Sequence, residues 1–259
     1  LVGVMFGLSH LRQSQGLWLL LAGLVLIVGF IFREASIASP ILDIALFRTN
    51  RVFAFSNLAA LINYSATYAV GFFISLYLQY LKGLNPRTAG LILIAQPVVM
   101  TLLSPLAGMA SDKIEPRVVA SLGMAVSSGG LLLLAFLEEG SSFVFVIGSL
   151  AILGFGFALF SSPNTNAVMS SVEKKSLSVA AATLGTMRLV GQMFSMGIAM
   201  MLFGLFVGAV KINPENHDAF LRSIRVGFLI FSALCLAGLL ASLARGNRSS
   251  PSVDTALRG

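Results

Sequence analysis

Seven apolar stretches dominate this chain, and each is about long enough to cross a bilayer. They run over approximately residues 16–32, 52–79, 88–110, 117–137, 143–171, 178–210 and 224–244. A hydrocarbon core ~30 Å thick takes ~20 such residues as helix. The runs are continuous rather than alternating, which selects helices over a barrel. Composition agrees: 57% of the 259 residues are apolar and 10% are charged, where soluble domains carry ~25% charged residues. A soluble globular enzyme is excluded, and so is a disordered chain. The lone Cys235 excludes a disulfide framework. The expectation is an all-α integral membrane protein with about seven transmembrane helices.

The first residues, Leu1 to Ser9, are apolar but too short to span, and they lack the features of a signal peptide. They read as the end of a helix whose start lies elsewhere, so the sequence is expected to be the C-terminal part of a longer protein. Turn signals separate the later runs: Gly83-Leu84-Asn85-Pro86, Glu115-Pro116, Glu138-Glu139-Gly140-Ser141 and Asn213-Pro214. Pro97, Pro105 and Pro163 fall inside spans, where neighbouring groups must satisfy the freed carbonyls.

Cations set the orientation. One side carries Arg33, Arg48, Arg51, Lys113, Arg117, Lys174, Lys175, Arg245, Arg248 and Arg258. The other carries Arg12, Lys82, Arg87, Lys211, Arg222 and Arg225, and Arg188 remains inside a span. The richer side is expected to be cytoplasmic, with the polar tail from Gly246 disordered there. The net charge of +7 therefore reads as loop charge facing the cytoplasm, and no nucleic-acid partner is expected.

All ten acids and both histidines, His10 and His217, lie outside the spans or at their ends. An intramembrane protease or metalloenzyme needs such groups at depth, so no catalytic residue, metal or cofactor is expected. A nucleotide-binding glycine-rich loop is also absent from the sequence.

One helix carries a polar stripe. At 100° per residue Asn57, Tyr64, Tyr68, Ser75 and Gln79 share a face about 60° wide. Such a face meets protein or water, either as the wall of a cavity or as glue between helices. The sixth span holds Arg188, with Ala181, Gly185, Gln192, Ser195 and Ala199 on its face. A central arginine costs at least ~2.5 kcal/mol to insert and calls for a partner. A backbone carbonyl, the missing part of the protein and a passing anion all remain open, as does snorkelling to the headgroups. Asn164 or Asn166, at similar depth, is a further contact to consider, against a role in satisfying the kink at Pro163. Gln96 beside Pro97 is either a lining or a kink-satisfying residue. Gly154 and Gly156 read as packing positions. The 117–137 and 224–244 spans hold few polar groups and are expected at the lipid-facing periphery.

Between the 88–110 and 117–137 spans stands Gly108-Met109-Ala110-Ser111-Asp112-Lys113-Ile114-Glu115-Pro116-Arg117. It resembles the cytoplasmic loop of the major facilitator superfamily, G-x-x-x-D-[RK]-x-G-[RK]-[RK]. Gly108, Asp112, Lys113 and Arg117 match, while Glu115 replaces a glycine and Pro116 a basic residue. In physical terms, the glycine allows close approach of helices, and Asp112 is placed to cap the next helix or pair with a cation as a conformational latch. The stretch from Pro40 to Arg48, with Leu76-Tyr77-Leu78-Gln79-Tyr80 and Gly90, is similar to the 14-helix drug:proton antiporters of that superfamily.

The resemblance implies linker helices over 1–32, a cytoplasmic loop over 33–51, a six-helix C-terminal half over 52–244 and a cytoplasmic tail over 245–259. It implies a multi-pass cell-membrane protein that works with a missing N-terminal half, taking a small-molecule substrate by alternating access. Asn57, Tyr64 and Tyr68 would contact substrate, with Gln96, Asn164, Arg188 and Gln192 as further candidates. Proton-coupled efflux of amphipathic, mostly cationic compounds is the first expectation, with the coupling acid in the missing half. A carrier of anionic metabolites using Arg188 and a non-transporting half-length partner protein are the alternatives.

Overall fold

The computed structural model describes residues 44–208, 212 and 214–244, with scattered positions between 18 and 33. Nine α-helices follow in order from residue 44: α1 (Ile44–Thr49), α2 (Arg51–Thr67), α3 (Val70–Leu76), α4 (Pro86–Leu93), α5 (Ala95–Lys113), α6 (Pro116–Leu134), α7 (Phe143–Ser170), α8 (Leu177–Phe206) and α9 (His217–Ala244). No strand occurs among the described residues. Among the described residues, six helical segments are long and apolar enough to cross a membrane: Arg51–Leu81, Pro86–Ser111, Pro116–Leu134, Phe143–Ser170, Lys174–Phe206 and His217–Ala244. These are the last six expected spans. The 16–32 span falls largely outside the described residues, and the 245–259 tail wholly so. The short helix α1 sits where the sequence reading placed a loop.

Helix ends obey local chemistry. Asn50, Asn85 and Ser142 each accept a bond from a backbone N–H three residues on, capping α2, α4 and α7. Pro86 and Pro116 open α4 and α6, where a missing N–H costs nothing. Gly83 takes a left-handed φ of 66°, which closes the turn after the π-helical Tyr77–Leu81 segment. Pro97 has no N–H for the carbonyl four residues back, and the helix breaks at Ile94 between α4 and α5. Pro105 and Pro163 stay within continuous helix.

Glycines fix the tightest crossings. A Cβ on Gly123 of α6 would stand 2.6 Å from the Gly156 carbonyl oxygen of α7, and one on Gly156 would stand 2.7 Å from the Ser127 backbone nitrogen. Gly154 likewise lies against the Gln96 carbonyl of α5. Both α7 glycines are therefore packing positions, as their sequence context suggests.

The lateral order corrects one expectation. Neither α6 nor α9 is peripheral within this chain: α6 packs between α7 and α9, and α9 packs on α6, α2 and α8. The outermost span is α4–α5, held mainly by α7. Scarcity of large polar groups was a poor guide, because the relevant signal is small residues. Ser121 of α6 bonds Ser242 of α9 at 2.9 Å, and Ser128 pairs with Ser232 at 2.8 Å. Small hydroxyls let helices approach and then hydrogen-bond across the seam. Cys235 lies fully buried in the same core.

One end of the bundle is stitched by polar contacts. The Tyr77 hydroxyl donates to the Glu138 carbonyl at 2.7 Å, Lys82 donates to the Glu139 carbonyl, and His217 meets Glu139 at 3.3 Å. At the other end the Asn50 amide donates to the Ser171 carbonyl.

Candidate binding site between three helices

The site begins with a glycine. Gly191 of α8 lies against the Leu61 carbonyl and Tyr64 of α2, where a Cβ would be 2.5 Å from the Leu61 oxygen. One turn further on, the Ser195 hydroxyl accepts from the Ala69 N–H at 2.9 Å. That bond satisfies a donor freed by the break between α2 and α3. So α8 runs close beside α2, and Arg188, one turn before Gly191, comes alongside Tyr64.

The Arg188 guanidinium carbon lies 5.6 Å from the centroid of the Tyr64 ring. This is within cation–π range. Its Nη2 donates to the Thr165 hydroxyl of α7 at 2.7 Å. Tyr64 also meets Phe157 of α7 edge to face, with centroids 5.2 Å apart and an interplanar angle of 89°. Tyr64, Phe157, Thr165, Arg188 and Gln192 are all half-buried. Three helices thus bring an aromatic wall and one cation to a single corner.

Arg188 stands eleven residues into α8, about 16 Å at 1.5 Å per residue. Its side chain reaches back to Thr165, only five residues from the end of α7. Side chains on a helix tilt toward its N-terminus, so the arginine snorkels part of the way and stops inside. Its Nε is buried and has no hydrogen-bond acceptor.

Between Asn164 and Asn166, it is Thr165 whose hydroxyl accepts from Arg188. Asn164 donates to the Ser56 carbonyl of α2 at 3.1 Å, while Asn166 is exposed. Consecutive helical residues lie 100° apart, which puts the three side chains on different faces.

In the segment that carries the polar stripe, the α-helix breaks at Tyr68–Ala69, and a π-helical turn follows at Tyr77–Leu81. Asn57 is fully buried and donates to the Phe53 carbonyl of its own helix at 2.9 Å, leaving Oδ1 without a partner. Tyr68 is half exposed. Gln79 turns back to the Ser75 hydroxyl at 2.8 Å. Gln96 sits half-buried on outlying α5. The structure therefore joins Tyr64 and Arg188, while the Gln96 carbonyl lies against Gly154 of α7.

Sequence reasoning passed over four residues. Phe157 and Thr165 complete the corner. Asn63 is fully buried with neither amide atom bonded, and buried Thr183 has an unpaired hydroxyl. Thr183 stands six residues from the start of α8, Asn57 six from the start of α2, and Asn164 six from the end of α7. That equal depth, about 9 Å, is a signal the sequence held.

The connection between α5 and α6 has its own geometry. A Cβ on Gly108 would be 3.3 Å from the Ser162 hydroxyl of α7, so a small residue suits the approach. Lys113 is exposed, and the Asp112 side chain lies outside the described atoms. Arg117 does not wait for an aspartate: its Nε donates to Glu115 at 3.0 Å. The residue that departs from the loop pattern is thus the partner of one that matches it.

The major facilitator superfamily profile matches residues 56–258. The chain belongs to the major facilitator superfamily. This superfamily member is 26% identical over 246 residues to the riboflavin transporter RibZ of Clostridioides difficile, covering 94% of the chain and 53% of that protein. It is 31% identical over 191 residues to the multidrug transporter protein MdtP of Bacillus subtilis, covering 73% and 34%. It therefore spans about half the length, or less, of these curated relatives. In fold it is similar to a bacterial homologue of the human lysosomal transporter Spinster, solved in an inward-facing and occupied conformation. The TM-score there is 0.63 at 15% identity, covering 77% of this chain and 50% of that one. Fold and family agree on an integral membrane protein.

Proposed function

We propose that the chain is the C-terminal half of a proton-coupled efflux transporter of the 14-helix type, moving amphipathic small molecules by alternating access. The observation that carries this reading is the corner formed by Tyr64, Phe157, Thr165 and Arg188 at membrane depth between α2, α7 and α8. An aromatic wall with a few directed donors is the usual make-up of a small-molecule site. Midplane sites that two rocking halves share are the working principle of such carriers. Relatives named for multidrug and methyl viologen resistance lend support.

Proton coupling needs a titratable group in the path. Glu115, Glu138, Glu139, Glu173 and Asp218 all stand at helix ends or in connections. The coupling acid is therefore assigned to the half that this chain lacks. The C-terminus is placed in the cytoplasm, with the cation-rich loops.

The test is dye accumulation in efflux-deficient cells expressing the full-length protein. Lower accumulation than in vector controls, restored by a protonophore, is the expected result. Efflux that persists without a proton gradient would remove the coupling, and unchanged accumulation of every dye would remove the efflux.

A further inference from the structure

The corner around Arg188 carries a charge preference that efflux of cations does not explain. The guanidinium edge formed by Nε and Nη2 is the one that grips a carboxylate through two parallel bonds. Here that edge is half used. Nη2 donates to Thr165, while Nε has no acceptor and no contact with solvent. A buried donor on a charged group is costly to leave unpaired, and none of the described acids lies at this depth to meet it. The guanidinium carbon already stands over the Tyr64 ring, 5.6 Å from its centroid. The half-buried rings of Tyr64 and Phe157 continue from it as a perpendicular pair.

We propose that Arg188 is a specificity-determining residue that seats the carboxylate of a planar aromatic ligand, whose ring lies against Tyr64 and Phe157. The carboxylate takes the free Nε–H and shares Nη2 with Thr165. A small turn of the side chain, of the kind alternating access brings about, opens the edge to the ligand. Cationic ligands gain nothing here, because the corner offers them the aromatic faces beside a fixed like charge. This inference rests on the reading of the protein as a small-molecule transporter but commits to a ligand class.

The experiment measures equilibrium binding of three matched bicyclic probes to the purified full-length protein in detergent. The probes are 2-naphthoate, 2-naphthalenemethanol and N-methylquinolinium. Wild type is expected to bind 2-naphthoate most tightly. Arg188→Gln is expected to weaken 2-naphthoate about tenfold to a hundredfold, the loss of a charge-assisted bond. It should leave the alcohol within about twofold and strengthen the cation. Arg188→Lys keeps the charge without the fork and guards against a folding defect in the glutamine variant. It should bind 2-naphthoate more weakly than wild type but more tightly than Arg188→Gln. Equal loss of all three probes in both variants would show that Arg188 pairs with an acid of the protein itself, and would overturn the proposal. No preference for 2-naphthoate in wild type would overturn it too. Arg188-dependent binding without transport of any dye would leave this inference standing and remove the efflux reading instead.

Discussion

At the scale of single residues, Arg188 shows how a cation is kept inside an apolar helix without an acid. It has one hydroxyl, one aromatic face and one unpaired donor. Thr165 is the weak point of that arrangement. Thr165→Val keeps the shape but leaves Nη2 without its acceptor beside the orphaned Nε. An unsatisfied buried donor costs about 1–3 kcal/mol, so the variant should unfold at a lower temperature in detergent. A thiol-reactive dye reports this directly, because Cys235 is buried in the folded bundle. Thr165→Ser keeps the acceptor and should melt within a degree or two of wild type, about the resolution of such shifts. Identical melting of Thr165→Val and wild type would mean that the hydroxyl does not support the guanidinium. Asn63 is the reverse case, with both amide atoms buried and unpaired. If nothing enters the bundle to meet them, Asn63→Leu should be neutral or stabilising, since an apolar group has no bonds to lose.

At the scale of elements, the seams depend on glycine and serine more than on large side chains. Gly156 and Gly148 share α7 and differ in surroundings: a Cβ on Gly156 meets the α6 backbone at 2.7 Å, while one on Gly148 meets nothing within 4 Å. Gly156→Ala should force α6 and α7 apart and cost about 1–3 kcal/mol. Gly148→Ala should be neutral or stabilise by about 0.5–1 kcal/mol through helix propensity. Thermal unfolding of the pair in one detergent separates packing from propensity, and equal shifts would refute the crossing. The same seams explain what the sequence did and did not reveal. Apolar run length located five spans to within about four residues, because membrane thickness fixes that length, and the last, expected over 224–244, begins earlier at His217 because the first turns of α9 carry His217, Asp218 and Arg222. Turn residues located the breaks, because φ and missing donors act locally. Lateral order was not legible from polarity, because the packing surfaces of α6 are made of small residues, Ser121 and Ser128 toward α9 and Gly130 toward α7. The polar stripe was legible in the sequence, whereas the helix break after Thr67 and the π-helical turn at Tyr77–Leu81 that interrupt its helix carry no proline or glycine to announce them. Ser195 on a different helix caps that break.

At the scale of the whole molecule, one property ties these elements to the proposed transport: which end of the bundle faces the cytoplasm. Ten cations were counted on one side and six on the other, of 17 in all, with Arg188 between. Positive charge near span ends resists translocation, so the end with Lys113, Arg117, Lys174 and Lys175 should be cytoplasmic. The Arg188 corner lies nearer that end, since its guanidinium reaches back toward Thr165. A carboxylate ligand would then meet its seat from the cytoplasmic side, as export requires. Single cysteines decide the orientation. In a Cys235→Ala background, Gly140→Cys and Lys174→Cys place thiols in the exposed connections at opposite ends of α7. A membrane-impermeant maleimide added to intact cells should label Gly140→Cys, and should label Lys174→Cys only after permeabilisation. The opposite pattern would put the cation-poor, Tyr77–Glu138 end inside the cell, and would turn the Arg188 corner toward the outside. Its geometry would then suit uptake of the same ligands rather than their expulsion.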